Sequence, residues 1–221
     1  MAKISKGSHM QNPLYIFGAG GHGRVIIDTA MECNDRPSIV LDDHPHAANL
    51  FGIQIFSAVD FPFEPGFRFV VAIGDPAVRR EKFEWLLGKG GLPATIIHPA
   101  ASVSKQSTIG RGTLVFARAI IDPSVTIGEN AIINAGAIVG HDSVICDDAH
   151  VSGGALVGAN ARVGQATFVG LGAIVSSGVK VGDGAFIAMG ALVSHDVPDR
   201  FKAVSPHRRE AILAPIHDRL E

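Results

Sequence analysis

The stretch IVGHDSVICDDAHVSGGALVGANARVGQATFVG, residues 138–170, places Ile or Val at every sixth position: Val139, Ile145, Val151, Val157, Val163 and Val169. Followed outward, the rhythm runs unbroken from Ile97 to Val193, through Val103, Ile109, Val115, Ile121, Ile127 and Ile133 on one side and Val175, Val181 and Ile187 on the other. A period of six fits neither the 3.6-residue turn of a helix nor the two-residue alternation of a simple strand. It fits a coiled chain in which each hexad is one short straight side, a β-solenoid. The residue after each Ile/Val is often Gly (Gly110, Gly128, Gly140, Gly158, Gly164, Gly170, Gly182) and the fifth is often Ala, Thr, Ser or Val. Small residues allow tight corners, and stacking at about 4.8 Å would make an interior column of Ile and Val.

The chain has 221 residues, 47% of them hydrophobic, enough for two modest domains. Its 26 Gly, one Trp and one Tyr suit a solenoid with glycine corners better than an aromatic-cored sandwich. A net charge of -2 offers no footprint for nucleic acid and no polybasic membrane anchor, so a small substrate is expected. Cys33 and Cys146 stand alone in their halves of the chain, which argues against a disulfide framework and for a reducing cytoplasm. No apolar run approaches the roughly 20 residues of a membrane-spanning helix, and no signal peptide is expected. Residues 1–9 read as an expression tag and are set aside.

From residue 10 to residue 96 the rhythm is that of a small α/β unit. Leu14-Tyr15-Ile16-Phe17 reads as a buried strand, followed by a glycine turn and a helix with Val25, Ile26, Ile27, Ala30 and Met31 on its apolar side. Ser38-Ile39-Val40-Leu41 and Phe69-Val70-Val71-Ala72-Ile73 predict two more strands. Asp75 and Pro76 then open a helix that buries Phe83, Leu86 and Leu87. Ala94-Thr95-Ile96-Ile97 predicts a fourth strand running straight into the first hexad. The solenoid is expected over residues 97–197, and a C-terminal tail, with a short mixed-charge segment, over 198–221.

Gly18-Ala19-Gly20-Gly21-His22-Gly23 follows a strand and opens a helix, the context in which a glycine-rich loop cradles phosphate oxygens with free backbone N–H groups. Asp42 and Asp43 end the second strand where a dinucleotide fold places its ribose-binding carboxylate, so an NAD-binding oxidoreductase or sensor stays open as a rival. Gly74 ends the third strand on the same sheet edge. In the solenoid, His141-Asp142 and, nine residues on, His150 interrupt the small polar residues expected at exposed positions. A carboxylate beside an imidazole stabilises its protonated form and makes the neutral ring a stronger base. His195-Asp196 repeats the pair 54 residues later and reads as a structural corner. The histidine spacing does not suit a zinc site, and Cys146 has no base within sequence reach, so neither a metal nor an acyl-enzyme is expected.

Together the Gly-Gly-His-Gly loop, Leu41-Asp42-Asp43, Val71-Ala72-Ile73-Gly74, the hexads and the Gly140-His141-Asp142 to His150-Val151-Ser152 segment resemble the nucleotide-sugar acetyltransferases of the sialic-acid O-acetyltransferase and bacillosamine N-acetyltransferase type. The resemblance implies a left-handed parallel β-helix behind a Rossmann-like sheet, three hexads per coil, and a homotrimer with active sites at subunit interfaces. It implies acetyl-CoA as co-substrate and a nucleotide-sugar held by Gly20, Gly21, His22, Asp42, Asp43 and Gly74. His141 would be the general base, Asp142 its carboxylate partner, and His150, Leu171 and Met189 would contact acetyl-CoA. A backbone N–H in a glycine-rich corner would stabilise the thioester oxygen. Asp142 stands where the family often has Glu. Ala188-Met189-Gly190 and Val204-Ser205-Pro206-His207 also depart from the family pattern. Transfer to a sugar hydroxyl rather than an amine would use the same fold and base.

Overall fold

The computed structural model describes residues 12–204. The expected tag and most of the tail, with its mixed-charge segment, lie outside the described residues. The N-terminal unit holds β1 (Leu14–Phe17), α1 (Gly21–Glu32), β2 (Ile39–Asp42), β3 (Asn49–Leu50), β4 (Ile53–Ser57), β5 (Arg68–Val71), α2 (Pro76–Gly88) and β6 (Leu92–Pro93). Its sheet runs β3-β4-β2-β1-β5-β6 and is parallel except for the β3/β4 hairpin. That hairpin escaped the sequence reading because its turn, Phe51 (φ 50°) and Gly52 (φ 74°), puts an aromatic residue where Asn or Asp usually takes positive φ. Asp75 caps α2 as expected, its side chain accepting from the N–H groups of Ala77 and Val78 at 2.9 Å.

The fourth strand predicted over residues 94–97 is divided. β6 pairs with β5, whereas β7 (Ile96–Ile97) already belongs to the solenoid and pairs with Leu114–Val115. From β7 to Lys202–Ala203 the chain makes two-residue strands, each pairing in parallel with the strand 18 residues away, as in Leu114↔Ile132 and Val115↔Ile133. Three faces result, of seven, six and five strands. The first contains Ile132–Ile133 and His150–Val151, the second Ile138–Val139, and the third Val144–Ile145.

The Ile/Val column and the Ala, Ser, Thr or Val before each strand form one continuous core from Val115 to Val193. The column is less enclosed at its start, where Ile97 is 38% exposed and Val103 and Ile109 are half-buried, since the first coil has no coil beneath it. Three core slots are hydroxylic, and each satisfies itself across coils. Thr113, Ser143 and Thr167 donate to the carbonyls of Gly128, Gly158 and Gly182 and accept from Ala131, Ala161 and Ala185.

The corners explain the rest of the period. Every sixth residue from Gly112 to Gly190 has positive φ, among them Asn130, Gly136, Asp142, Asp148 and Gly154. The glycine after each Ile/Val has another cause, close approach of the next coil: a Cβ on Gly140 would lie 2.7 Å from the Ala159 nitrogen. The N-terminal unit packs on the outside of the first face, where Ile96, Leu114, Phe116 and Ile132 join one core with Ile16, Ile26 and Val70. Among the described residues no helix is long and apolar enough to cross a membrane.

Candidate active site

A cleft of about 430 Å³ opens at the carboxyl ends of β1, β2 and β5, lined by residues that include Gly18, Gly20, Gly21, His22, Asp42, Asp43 and Gly74. Ligands collect at this edge of open α/β sheets. The glycines divide by role. A Cβ on Gly18 would meet the Ala72 oxygen at 2.8 Å and one on Gly23 the Gly18 oxygen at 2.2 Å, so both are fixed by internal packing. Gly20 and Gly21 have nothing within 4 Å, and Gly20 caps α1 without a side-chain hydrogen bond. The helix therefore presents unsatisfied N–H groups and its positive end to the cleft.

Asp42 braces the loop: its Oδ2 accepts from the Ala19 N–H at 2.8 Å and its Oδ1 from the His44 N–H at 2.9 Å. Asp43 pairs with Lys82 Nζ at 2.9 Å, and that ammonium lies 5.6 Å from the centre of the Phe17 ring. The hydrogen bond to Asp43 is the main cause that raises the Lys82 pKa, so a fixed positive charge stands beside the cleft. The sequence reading missed Lys82.

It also misplaced His150. That residue was expected to be exposed on the solenoid, but it is 5% exposed, because its outward-facing slot on the first face is covered by the N-terminal unit. Its Nδ1 lies 2.9 Å from the Gly74 oxygen, its Nε2 lies 3.5 Å from the Asn134 amide nitrogen, and its ring centre is 6.0 Å from that of His22. His22 packs edge-on to Phe116, and its buried Nε2 has no hydrogen-bond partner. Burial pushes both rings down to about 4, with the Arg79 charge adding to the effect, while the Gly74 hydrogen bond opposes it at His150. At neutral pH both rings are uncharged. Asn134 was not foreseen. Arg79 was also missed, although its place at i, i+4, i+7 with Phe83 and Leu86 marks a charge on an apolar helix face.

His141 and Asp142 occupy the edge between the second and third faces. The Asp142 Oδ2 lies 2.7 Å from His141 Nδ1, and the two side chains are 57% and 53% exposed. A carboxylate only accepts, so in the neutral ring Nδ1 carries the proton and Nε2 presents a free lone pair. That edge is the vertex of the prism opposite the first face, where the cleft lies. One chain does not bring His141 to its own cleft. Leu171 (57% exposed) and Met189 (72%) stack 18 residues apart on the edge between the first and second faces.

The second histidine pair does not form a dyad. Asp196 Oδ1 accepts from the Lys180 N–H at 2.8 Å, and His195 Nδ1 instead faces Ser194 Oγ at 3.1 Å. His98 Nδ1 accepts from the Ala100 N–H in the first corner. A hollow of about 580 Å³ beside Gln165, Asp183 and Asp199 is larger than the cleft. Its carboxylates serve the coils, Asp183 accepting from the Gln165 N–H and Asp199 from that of Asp183, and they face no histidine. Among the described residues no group of three His, Cys, Asp or Glu could hold a metal ion. Burial raises the pKa of both Cys33 and Cys146, which leaves them poor nucleophiles at neutral pH.

Comparison with known proteins agrees with this architecture. The PglD N-terminal domain family matches residues 13–86, the bacterial transferase hexapeptide family residues 106–141, and the hexapeptide repeat of succinyl-transferase residues 160–194. The UDP-N-acetylbacillosamine N-acetyltransferase of Bacillus subtilis is 35% identical over 118 residues, 46% of this chain, and the match spans about half (50%) of that relative's length. A histidine-to-asparagine variant of perosamine N-acetyltransferase from Caulobacter crescentus, solved with CoA and GDP-perosamine, is 31% identical with a TM-score of 0.84, covering 88% of this chain and 94% of the other. The acetyltransferase domain of PglB from Neisseria gonorrhoeae, solved with acetyl coenzyme A, is 29% identical with a TM-score of 0.81, covering 87% and 95%. The chain belongs to the hexapeptide-repeat nucleotide-sugar N-acetyltransferases, with a PglD-type domain ahead of its solenoid.

Proposed function

We propose that this protein transfers the acetyl group of acetyl-CoA to the amine of a nucleotide-linked amino-deoxy sugar, the 4-amino group of GDP-perosamine being the first candidate, with His141 as general base. The observation that carries the proposal is the His141–Asp142 pair, held at 2.7 Å on an open solenoid edge with Nε2 free. The sugar amine attacks the thioester carbonyl and forms the C–N bond. His141 Nε2 takes the proton that the nitrogen must lose, Asp142 faces the charge the ring gains, and the C–S bond breaks. The CoA sulfur leaves as thiolate and recovers that proton from the ring. A positioned base contributes on the order of 10²- to 10⁴-fold to such a step.

In this reading the nucleotide binds in the N-terminal cleft, its phosphates toward the Gly20–Gly21 backbone and its positive neighbour Lys82. Acetyl-CoA runs past the exposed Leu171 and Met189 of an edge. Because His141 stands across the prism from its own cleft, the site is completed by a neighbouring subunit. The second face supports such an assembly: Ile120, Leu156, Ile174 and Leu192 line its outer surface and are exposed in the single chain, whereas the third face carries Thr108, Thr126, Arg162 and Lys180. The proposed assembly is a trimer. That two Caulobacter complexes were obtained with a histidine replaced by asparagine or alanine supports a histidine at the centre of the chemistry.

The test is acetyl transfer from acetyl-CoA to a panel of GDP-, UDP- and CMP-linked amino sugars, with His141→Ala beside the wild type. Transfer to one of them, reduced at least about 100-fold by the substitution, is the expected result. Equal rates in the two proteins would remove His141 from the mechanism. Stabilisation by NADH with no transfer to any sugar would replace the whole reading.

A further inference from the structure

We infer that Arg79 is a positioning residue for the cleft: its guanidinium holds the Gly74 carbonyl against the His150 ring and so fixes that ring as a hydrogen-bond acceptor at Nε2. Arg79 leaves the first turn of α2 and is completely buried. Its Nη1 donates to the Ile73 and Gly74 carbonyls at 3.0 Å each, its Nε to the Asn130 carbonyl at 3.0 Å, and its Nη2 to the Asp148 carbonyl. One planar fork thus joins the wall of the cleft to two successive coils of the solenoid. The Asp148 carboxylate, held by the Asn130 amide at 2.7 Å and 3.5 Å from Arg80, is the nearby negative charge that keeps this burial tolerable. An ammonium, with three donors on one point, cannot span this set of acceptors.

The Gly74 oxygen accepts from two donors, Arg79 Nη1 at 3.0 Å and His150 Nδ1 at 2.9 Å. A carbonyl has no proton to give, so Nδ1 must carry the ring's hydrogen. Since burial holds the ring neutral, Nε2 is left as a bare lone pair, with only the Asn134 amide near it at 3.5 Å. The groups that face this ring are therefore Gly74 and Arg79 from the β5–α2 side, His22 from α1, and Asn134 and Phe168 from the solenoid. His150 then cannot donate to a thioester oxygen. It can receive an N–H from a bound substrate, and its position relative to the nucleotide loop is set by Arg79.

The tautomer is readable without any substrate, by ¹⁵N NMR of histidine-labelled wild-type protein between pH 5.5 and 8. The expected spectrum shows His150 with a protonated Nδ1 and an unprotonated Nε2 across the whole range. A proton on Nε2, or a ring that titrates near neutrality, overturns the inference. In Arg79→Lys the second tautomer should become populated. An unchanged tautomer in folded R79K also overturns it, and if that variant does not fold the wild-type spectrum still decides. A kinetic arm rests on the acetyl-transfer reading: R79K should raise the KM for the nucleotide-sugar about tenfold while that for acetyl-CoA stays within about twofold. Equal increases in the two overturn the positioning role. If wild type transfers acetyl to no sugar, the acetyl-transfer reading fails, and the spectrum still judges Arg79 alone.

Discussion

Acid should loosen this protein through two imidazoles, and His22→Phe isolates one of them. In the folded chain His22 and His150 are pushed down to about 4, chiefly by burial, against about 6.5 in an unfolded chain. The unfolded state therefore binds more protons as the pH falls below 6.5, and stability drops until the folded rings also titrate near 4. Between pH 7 and 5 each ring accounts for about 2 kcal/mol, so the pair removes roughly 4 kcal/mol, against the ~5–15 kcal/mol by which domains are usually stable. His22 suits the test because its buried Nε2 has no partner and its ring already packs edge-on to Phe116, so a phenyl ring gives up little at neutral pH. Urea unfolding of wild type and His22→Phe, at one protomer concentration and at pH 7 and pH 5, should show the variant losing about 2 kcal/mol less across that interval. Equal losses in the two proteins, within about 0.5 kcal/mol, would mean that His22 is not held neutral by its surroundings, and the account of the seam would fall with it.

Two further outcomes follow from the same geometry. Asp142→Asn should cut kcat for acetyl transfer by roughly tenfold and leave both KM values within about a factor of two, because a neutral amide neither orients the His141 ring as well nor faces its charge; a raised KM would instead assign Asp142 to binding. Ile174→Glu on the second face should convert the assembly to monomers by size-exclusion chromatography with light scattering and abolish transfer, whereas Arg162→Glu on the third face should do neither; an intact, active Ile174→Glu oligomer would move the interface elsewhere.

The solenoid was legible because a repeat forces one requirement on the same slot of every coil. Val139, Val157 and Val175 stack in register, so a single rule is sampled over and over. The N-terminal unit offered one sample of each element. Its parallel strands announced themselves as apolar runs, but the Phe51–Gly52 hairpin, with no usual turn pair, did not. The seam between the units was illegible for a different reason. His150 looks like a surface histidine until another unit is laid over its slot, and Arg79 looks like one of two helix arginines until five main-chain oxygens close around it. Such pairings join residues 51 to 76 apart, and no local pattern carries them.

The two His-Asp pairs show how far local sequence can be taken. Position 142 falls in the series of left-handed corner residues that runs from 112 to 190, shared with Asn, Gly and other Asp. An Asp there needs no functional excuse, since short polar side chains tolerate this conformation better than most. The corner nonetheless brings its carboxylate to 2.7 Å from the preceding imidazole and leaves both in solvent. At 196 the same residue type no longer has positive φ, because the chain is leaving the period, and its carboxylate turns to the Lys180 N–H instead. The identical dipeptide thus yields a poised base in one coil and a structural tie in another. What separates them is the backbone conformation imposed by position in the repeat, which explains why chemistry is expected at His141 and not at His195.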